Sequence, residues 1–370
     1  MCDLVLLSWN HLEETRPCLE TLFHSIQGPC RLLIVDNASE PEVRAFLRSM
    51  TPRGAITEVQ LLQNEVNEGF PRGMNRGMRA SNAPYVCLLN NDLRFTTGWL
   101  QEMVAVAASD PVIGLVNPAS STFGDRPMPG VSLEAHAAAR RERFQGQWVE
   151  AGIGIGFCLL IKREVVDRVG LLSEEVDRAF FEDEDYSMRV QQAGYRCVVA
   201  EGAYVYHAEH RSVRDVPERE ALFARNRRWC EQRWGRWVRI AWPRFTPVAP
   251  GSEELRRWLE QLVSWARRRA YLYVYAPLPK GVTREALFSS VGLRPHADIL
   301  WTSIPAGRAS LAAAGLILKR RKKRFDIIVA PTAGWGASVS RLRWWHGAAV
   351  VPAADEARLT AEWSAARAPR

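Results

Sequence analysis

Two stretches of this chain end in the same way. Leu32-Leu33-Ile34-Val35 runs directly into Asp36-Asn37-Ala38-Ser39, and Val86-Cys87-Leu88-Leu89 runs into Asn90-Asn91-Asp92. A run that is apolar at every position, with no polar alternation, marks a strand buried on both faces, as parallel sheets demand. Polar groups massed at the end of such a strand lie where open α/β sheets bind ligands. Further strands are expected near 3–9, 57–63 and 112–117, with helices near 13–25, 41–50, 72–80 and 97–108. Strand and helix in alternation predict right-handed βαβ units and a mostly parallel sheet, the α/β class.

Between the two strand ends lies Asn67-Glu68-Gly69-Phe70-Pro71-Arg72-Gly73-Met74-Asn75-Arg76-Gly77, which is glycine-rich and opens a helix. Backbone N–H groups and guanidinium in that setting suit a phosphate. Further on, Phe180-Phe181-Glu182-Asp183-Glu184-Asp185-Tyr186 crowds four carboxylates behind two aromatic rings. Such carboxylates repel one another and lose water, which raises at least one pKa toward the value a general base needs near neutral pH. The competing reading is the first turn of an acidic helix. A strand is expected over 151–161 and a helix from about 184 to 193. Residues 120–148 read as a loop with a short helix on the acceptor side.

Taken together, these segments resemble glycosyltransferase family 2 with the GT-A fold, especially its bacterial cell-surface polysaccharide and rhamnosyltransferase-like members. The resemblance is carried by Ser8-Trp9-Asn10, Val35 to Ser39, Asn67 to Phe70, Gly73-Met74-Asn75, Leu89 to Asp92, Gly98-Trp99-Leu100, Gly156 to Arg163, Phe181 to Asp185, Arg189, Ala193-Gly194-Tyr195 and His207. They follow the family's order over about residues 3–212.

The resemblance implies a role for each position. Asp36 would hold the base of a nucleotide-sugar, and Ser8, Asn10, Asn67, Gly69, Phe70, Arg72, Asn75, Asn90 and Asn91 would lie on the donor side. Asp92, at the end of the family's Asp-x-Asp position, would reach a divalent metal, Mn²⁺ or Mg²⁺, with His207 as a further ligand. Asp183 would be the base, and Gly156, Phe157, Glu182 and Asp185 would face the acceptor. Asn90 departs from the pattern: it accepts a hydrogen bond but brings no charge. The implied reaction moves a sugar, with inversion, from a UDP-, dTDP- or GDP-linked donor to a hydroxyl of a glycan or lipid-linked glycan in surface polysaccharide assembly. Several positions keep a second reading: Asp36 as a helix cap, His207 as a strand-end surface histidine, Asp185 as part of the first helical turn, Arg72 and Arg76 as a solvated loop. The alternative function is a catalytically silent nucleotide-sugar-binding or scaffold protein, favoured by Asn90 and opposed by Asp92, Asp183 and His207.

With 370 residues and 47% hydrophobic content, the chain has room for two domains. Residues 1–221 are expected to form the catalytic domain. Residues 222–269 form a basic, Trp-rich helical segment, suited either to an anionic membrane surface or to packing its Trp rings with Arg turned outward. Residues 270–370 are expected to be a small α/β module with strands near 271–275, 297–301, 325–329 and 348–351, and a basic turn at Lys319 to Arg324. Seven cysteines are scattered without a Cys-x-x-Cys pair, and Cys87, Cys158 and Cys197, in apolar strand-like runs, read as reduced core residues. No apolar run approaches the roughly 20 residues of a membrane span, and the first strand begins almost at Met1. The expected location is therefore cytoplasmic, with a peripheral position at the inner face of the cell membrane as the option that the basic segment leaves open. A net charge of +8 permits nucleic acid, but no module for it is visible, so none is expected as a partner.

Overall fold

The computed structural model describes residues 2–208, 218–319 and 324–369. It forms two compact units, residues 1–230 and 231–370. The first contains β1 (Cys2–Ser8), α1 (Leu12–Ser25), β2 (Cys30–Asp36), α2 (Pro41–Arg48), β3 (Ile56–Gln63), α3 (Phe70–Ala80), β4 (Tyr85–Asn90), β5 (Leu93–Phe95) and α4 (Trp99–Ser109). It continues with β6 (Ile113–Ala119), α5 (Leu133–Phe144), β7 (Trp148–Ala151), β8 (Cys158–Lys162), α6 (Arg163–Val169), α7 (Glu182–Gln192), β9 (Arg196–His207) and the start of α8 (Arg219–Trp234).

The nine-stranded sheet has the order β3-β2-β1-β4-β8-β6-β9-β5, with β7 also on β9. Strands β1, β2, β3, β4, β6 and β9 run one way, and β5, β7 and β8 the other. This is the expected α/β architecture with a mostly parallel sheet. Alternate residues of the central strands feed two cores. Leu4, Leu6, Leu32 and Ile34 pack with α1, while Val5, Leu7, Leu33 and Val35 pack with Met74 and Met78 of α3. Full burial of each such side chain is worth about 1.5–3 kcal/mol. A Cβ at Gly77 would overlap Val5, so only glycine lets α3 lie this close to β1. Register then sets the site: Ser8 lies opposite Asp36, and Leu7 opposite Asn90, so the strands end level. The run expected as one strand over 151–161 is two, because residues 152–157 between β7 and β8 leave the sheet.

The second unit contains β10 (Val238–Pro243), α9 (Glu253–Ala266), β11 (Ala270–Ala276), α10 (Arg284–Ser290), β12 (Ile299–Ser303) and α11 (Ala309–Leu318). Then come β13 (Ile327–Ala330), α12 (Ala333–Ser340), α13 (Arg343–His346), β14 (Ala349–Pro352) and α14 (Glu356–Ala366). Its five strands are parallel in the order β12-β11-β10-β13-β14.

The expected helical segment over 222–269 needs correction. Val238–Pro243 is the central strand of the second sheet, because Val238, Ile240 and Trp242 turn one way into its core and Ala241 the other. The division between units therefore falls near 230, not at 221 or 270. Four of the six tryptophans of this segment are engaged in packing: Trp242, Trp258 and Trp265 are buried, and Trp237 stacks on Tyr271 at 4.7 Å, while Trp229 and Trp234 are half-buried. Cys87, Cys158 and Cys197 are free and buried, as expected, and so are the other four cysteines. Among the described residues no helix is long and apolar enough to cross a membrane. Of the basic turn, residues 320–323 lie outside the described residues.

Candidate active site

The ends of β1, β2 and β4 open into a cavity of about 680 Å³ within the first unit. Asn37, just past β2, organises one wall. Its Nδ2 donates to Asn67 Oδ1 at 2.8 Å and Gly69 O at 3.2 Å, and its Oδ1 accepts from Asn64 Nδ2 at 2.8 Å and the Glu68 amide at 3.0 Å. One buried amide thus fastens the glycine turn to the strand end. Asn67, Gly69, Phe70, Asn90 and Asn91 line the cavity with it, together with Trp9.

The other residues expected on the donor side do not line it. Asp36 is fully buried and accepts from the Ser39 amide at 2.9 Å and Gln63 Nε2 at 3.2 Å. Ser8 lies behind the wall, its Oγ 3.5 Å from Thr15 Oγ1, which in turn accepts from Asn91 Nδ2 at 2.8 Å. Asn10 joins two loops, donating its amide to Ser39 Oγ and accepting from the Glu40 amide. Asn75 is turned into the fold, where it donates to Leu172 O and accepts from the Leu172 amide. Arg72 reaches toward Glu174 at 3.8 Å, and Arg76 donates to Gln63 O at 2.8 Å. The helix periodicity of α3 explains this: only its first turn faces the cavity, and Asn75 falls on the buried side.

Asp92 and His207 meet at the next wall. They are brought together by the antiparallel pairing of β5 with β9, and Asp92 Oδ1 lies 3.1 Å from His207 Nε2. Thr122 Oγ1, 2.9 Å from Nδ1, and the stacked Phe157 ring at 5.1 Å hold the imidazole in this orientation. Both side chains are largely buried and line the cavity. A carboxylate oxygen and an oriented imidazole nitrogen converging on one point fit a divalent cation, and the partner on the second imidazole nitrogen is the usual support of a ligating histidine. Among the described residues no group of three or more His, Cys, Asp or Glu is placed to hold a metal. A cation here would therefore need oxygens from a diphosphate and water to complete its shell, as Mg²⁺-type ions commonly do.

The acidic run forms the third wall. Asp183 is half-buried, and its Oδ2 accepts from the Gly156 amide at 3.1 Å while Oδ1 accepts from the Glu184 amide at 2.8 Å. Burial pushes Asp183 up to about 6, with the Gly156 amide pulling the other way. Glu182 is buried, its Oε2 has no hydrogen-bond partner among the described residues, and burial followed by the charge of Asp183 pushes it up to about 8. Two adjacent acids, both held above the ordinary carboxylate range by burial, therefore share this wall. Asp185, expected on the acceptor side, is fully buried and pairs with Arg189 Nε at 2.9 Å, so it holds the helix rather than the cavity.

Several lining residues fall outside the expected set. Arg178, Phe180 and Phe181 adopt left-handed backbone with φ of 56°, 74° and 71°, a conformation that costs a non-glycine residue of order 1–3 kcal/mol. Helix α8 restrains them. Asn226 Nδ2 donates to Asp177 O at 2.9 Å and Ala179 O at 2.8 Å, and Phe223 packs edge-on against Phe180 at 5.3 Å. Arg219 and Phe223 complete the lining. No local pattern announces this clamp, because it joins residues 47 and 49 positions apart.

A mostly parallel sheet with polar strand ends thus presents a carboxylate–imidazole pair and a separate raised carboxylate to one cavity. The sequence model of Glycosyl transferase family 2 matches residues 3–170, and over that span the chain is similar to the family. Asp183 and His207 lie beyond the matched span. The chain is 27% identical over 255 residues to the uncharacterized protein y4gI of Sinorhizobium fredii, a match covering 63% of this chain and 27% of that protein, so it spans about a quarter of its relative's length. Among solved structures it is similar to the mannosyltransferase PcManGT from Pyrobaculum calidifontis in complex with GDP-Man and Mn²⁺, with 16% identity, 63% of each chain covered and a TM-score of 0.48. It is also similar to S. aureus TarS 1-349 in complex with UDP-GlcNAc, with 12% identity, 62% of this chain and 65% of that chain covered and a TM-score of 0.45.

Proposed function

We propose that this protein is an inverting, metal-dependent glycosyltransferase. It moves a hexosyl or deoxyhexosyl unit from a UDP-, dTDP- or GDP-linked donor to a hydroxyl of a glycan or lipid-linked glycan in surface polysaccharide assembly, working from the cytoplasmic face of the membrane. The observation that carries the reading is Asp183: a carboxylate raised toward neutrality, anchored on the Gly156 amide and facing the same cavity as Asp92 and His207.

The chemistry follows from these placements. The donor's diphosphate lies against Asn67, Gly69 and the ends of β2 and β4. Asp92 and His207 would hold a divalent cation, which when bound would supply counter-charge for the leaving diphosphate. Asp183 accepts the acceptor hydroxyl's proton as the new C–O bond forms at the anomeric carbon. The bond to the diphosphate breaks in the same displacement, and its electron pair leaves on the nucleotide. A base of this kind contributes typically 10²–10⁴-fold. Attack from the face opposite the leaving group inverts the anomeric centre. Glu182, protonated beside it, keeps a second negative charge out of the acceptor wall.

The test is a panel of UDP-, dTDP- and GDP-sugars, each with and without Mn²⁺, read by thermal shift and by release of nucleoside diphosphate. At least one donor should stabilise the protein by mass action, more strongly with Mn²⁺. A panel that neither stabilises the protein nor releases nucleotide would overturn the reading.

A further inference from the structure

We propose that the surface formed by α11 and α13 in the second unit is a docking face for an anionic phospholipid bilayer. Three large apolar side chains stand in solvent there: Leu311 at 74% exposure, Trp344 at 78% and Trp345 at 45%. Helix α11 carries no charged residue along its whole length. Its outward side shows Leu311, Gly315 and Leu318, spaced so that all three share one face. Trp345 Nε1 donates to Leu318 O at 2.9 Å, which ties α13 to the end of α11, and the two indoles meet edge to face at 5.9 Å. Apolar surface gathered in this way on a water-soluble unit marks an interaction site.

The charge around it selects the partner. Lys319, Arg324, Arg341 and Arg343 are all exposed, and none makes an ion pair among the described residues. Between Ile299 and Ala354 the sequence contains one acid, Asp326, which is engaged by Arg236 at 3.0 Å and by the Arg239 amide at 2.9 Å. Lys319 and Arg324 also flank a cleft of about 200 Å³ beside Trp345, sized for a phosphate headgroup. His346 at its base has both ring nitrogens engaged, by Val339 O and the Ala348 amide, so it serves as scaffold and leaves the two cations as the recognising groups.

Tryptophan rings partition to the boundary between headgroups and acyl chains, and flanking cations are attracted to anionic lipid. A nucleic acid would engage the cations but leave Leu311 and the uncharged face of α11 in water. A bilayer takes both at once. The proposal concerns a different surface from residues 222–245, where Trp242 is buried and Trp237 stacks on Tyr271. It is also independent of the glycosyl-transfer reading, because vesicle binding requires no sugar.

The experiment is sedimentation of the full chain with vesicles of phosphatidylcholine alone, and with vesicles in which a third of the lipid is phosphatidylglycerol. Binding is expected only with the anionic vesicles. It should weaken sharply as salt rises past about 0.1 M, where screening reaches roughly 10 Å. Trp344→Ser should reduce the affinity at least several-fold. The double change Arg341→Gln with Arg343→Gln should reduce it more than about tenfold, since each cation at such a surface contributes about fivefold. All three substitutions alter exposed side chains, and an unchanged melting curve verifies the fold. No sedimentation with anionic vesicles at low salt, undiminished binding by both variants, or tighter retention on single-stranded RNA than on vesicles would each overturn the proposal.

Discussion

His207 Nε2 lies 3.1 Å from Asp92 Oδ1, and the same ring is fixed from its far side by Thr122. The two residues are 115 positions apart and reach each other only through the pairing of β5 with β9. Asp92→Ala should abolish the Mn²⁺-dependent part of donor-induced thermal stabilisation and lower transfer at least about 10²-fold. Thr122→Val should weaken the response to Mn²⁺ by about 10–100-fold, the usual effect of removing a ligand's support, while leaving the fold intact. Full transfer in chelator by the wild-type chain would show that no cation takes part.

The second prediction concerns the base. Asp183→Asn should leave donor affinity nearly unchanged and reduce turnover by at least about 10²-fold. In the wild type, turnover should fall as the pH drops below about 6, because protonated Asp183 cannot accept the hydroxyl proton. Loss of that acid limb in the residual activity of Asp183→Asn is the companion observation. A folded Asp183→Asn chain with wild-type turnover would place the base on another residue.

Glu182 gives a prediction about stability rather than rate. Its folded-state value, about 8, lies above the ordinary 4.5. Between these values the unfolded chain has released the proton while the folded chain still holds it, so raising the pH favours unfolding across that window. Glu182→Gln removes the slope. The variant and wild type should melt together near pH 4 and separate by pH 8, with the variant more stable by at least about 1 kcal/mol, since a tenfold difference in proton affinity between the two states corresponds to about 1.4 kcal/mol. Parallel melting curves across that range would exclude a protonated Glu182.

Asn226 is a positioning residue for the acid-bearing loop. Asn226→Ala would remove the donor shared by the part-buried carbonyls of Asp177 and Ala179, at about 0.5–1.5 kcal/mol for each hydrogen bond lost. Hydrogen exchange should quicken at residues 177–184, and turnover should fall with little change in donor affinity. Equal loss of donor binding and turnover would indicate general destabilisation instead.

Much of the first unit can be read from the chain because its central strands are buried on both faces and therefore uniformly apolar. The level strand ends follow from parallel pairing, so Asn90, Asn91 and Asp92 fall where an open sheet presents them. Asn75 and Asp185 turn away from the cavity for a common reason. Motif position fixes a residue's place along a helix, but the packing of α3 and α7 decides which side faces the cavity. Strand β10 is hard to read because Arg239 and Trp242 resemble an amphipathic surface, and only the neighbouring strands reveal that the tryptophan points inward. The clamp by Asn226 depends on a long-range contact that has no local periodicity at all.

A Cβ at Gly69 would sit 2.5 Å from the Cα of Arg178, and the Phe70 amide donates to Arg178 O at 2.5 Å. The turn that borders the donor wall and the loop that carries the acids are thus in backbone contact, with no side chain between them to absorb a displacement. The seam leaves room for nothing larger than a hydrogen at position 69, so the glycine there is what lets the loop carrying Glu182 and Asp183 close against the turn.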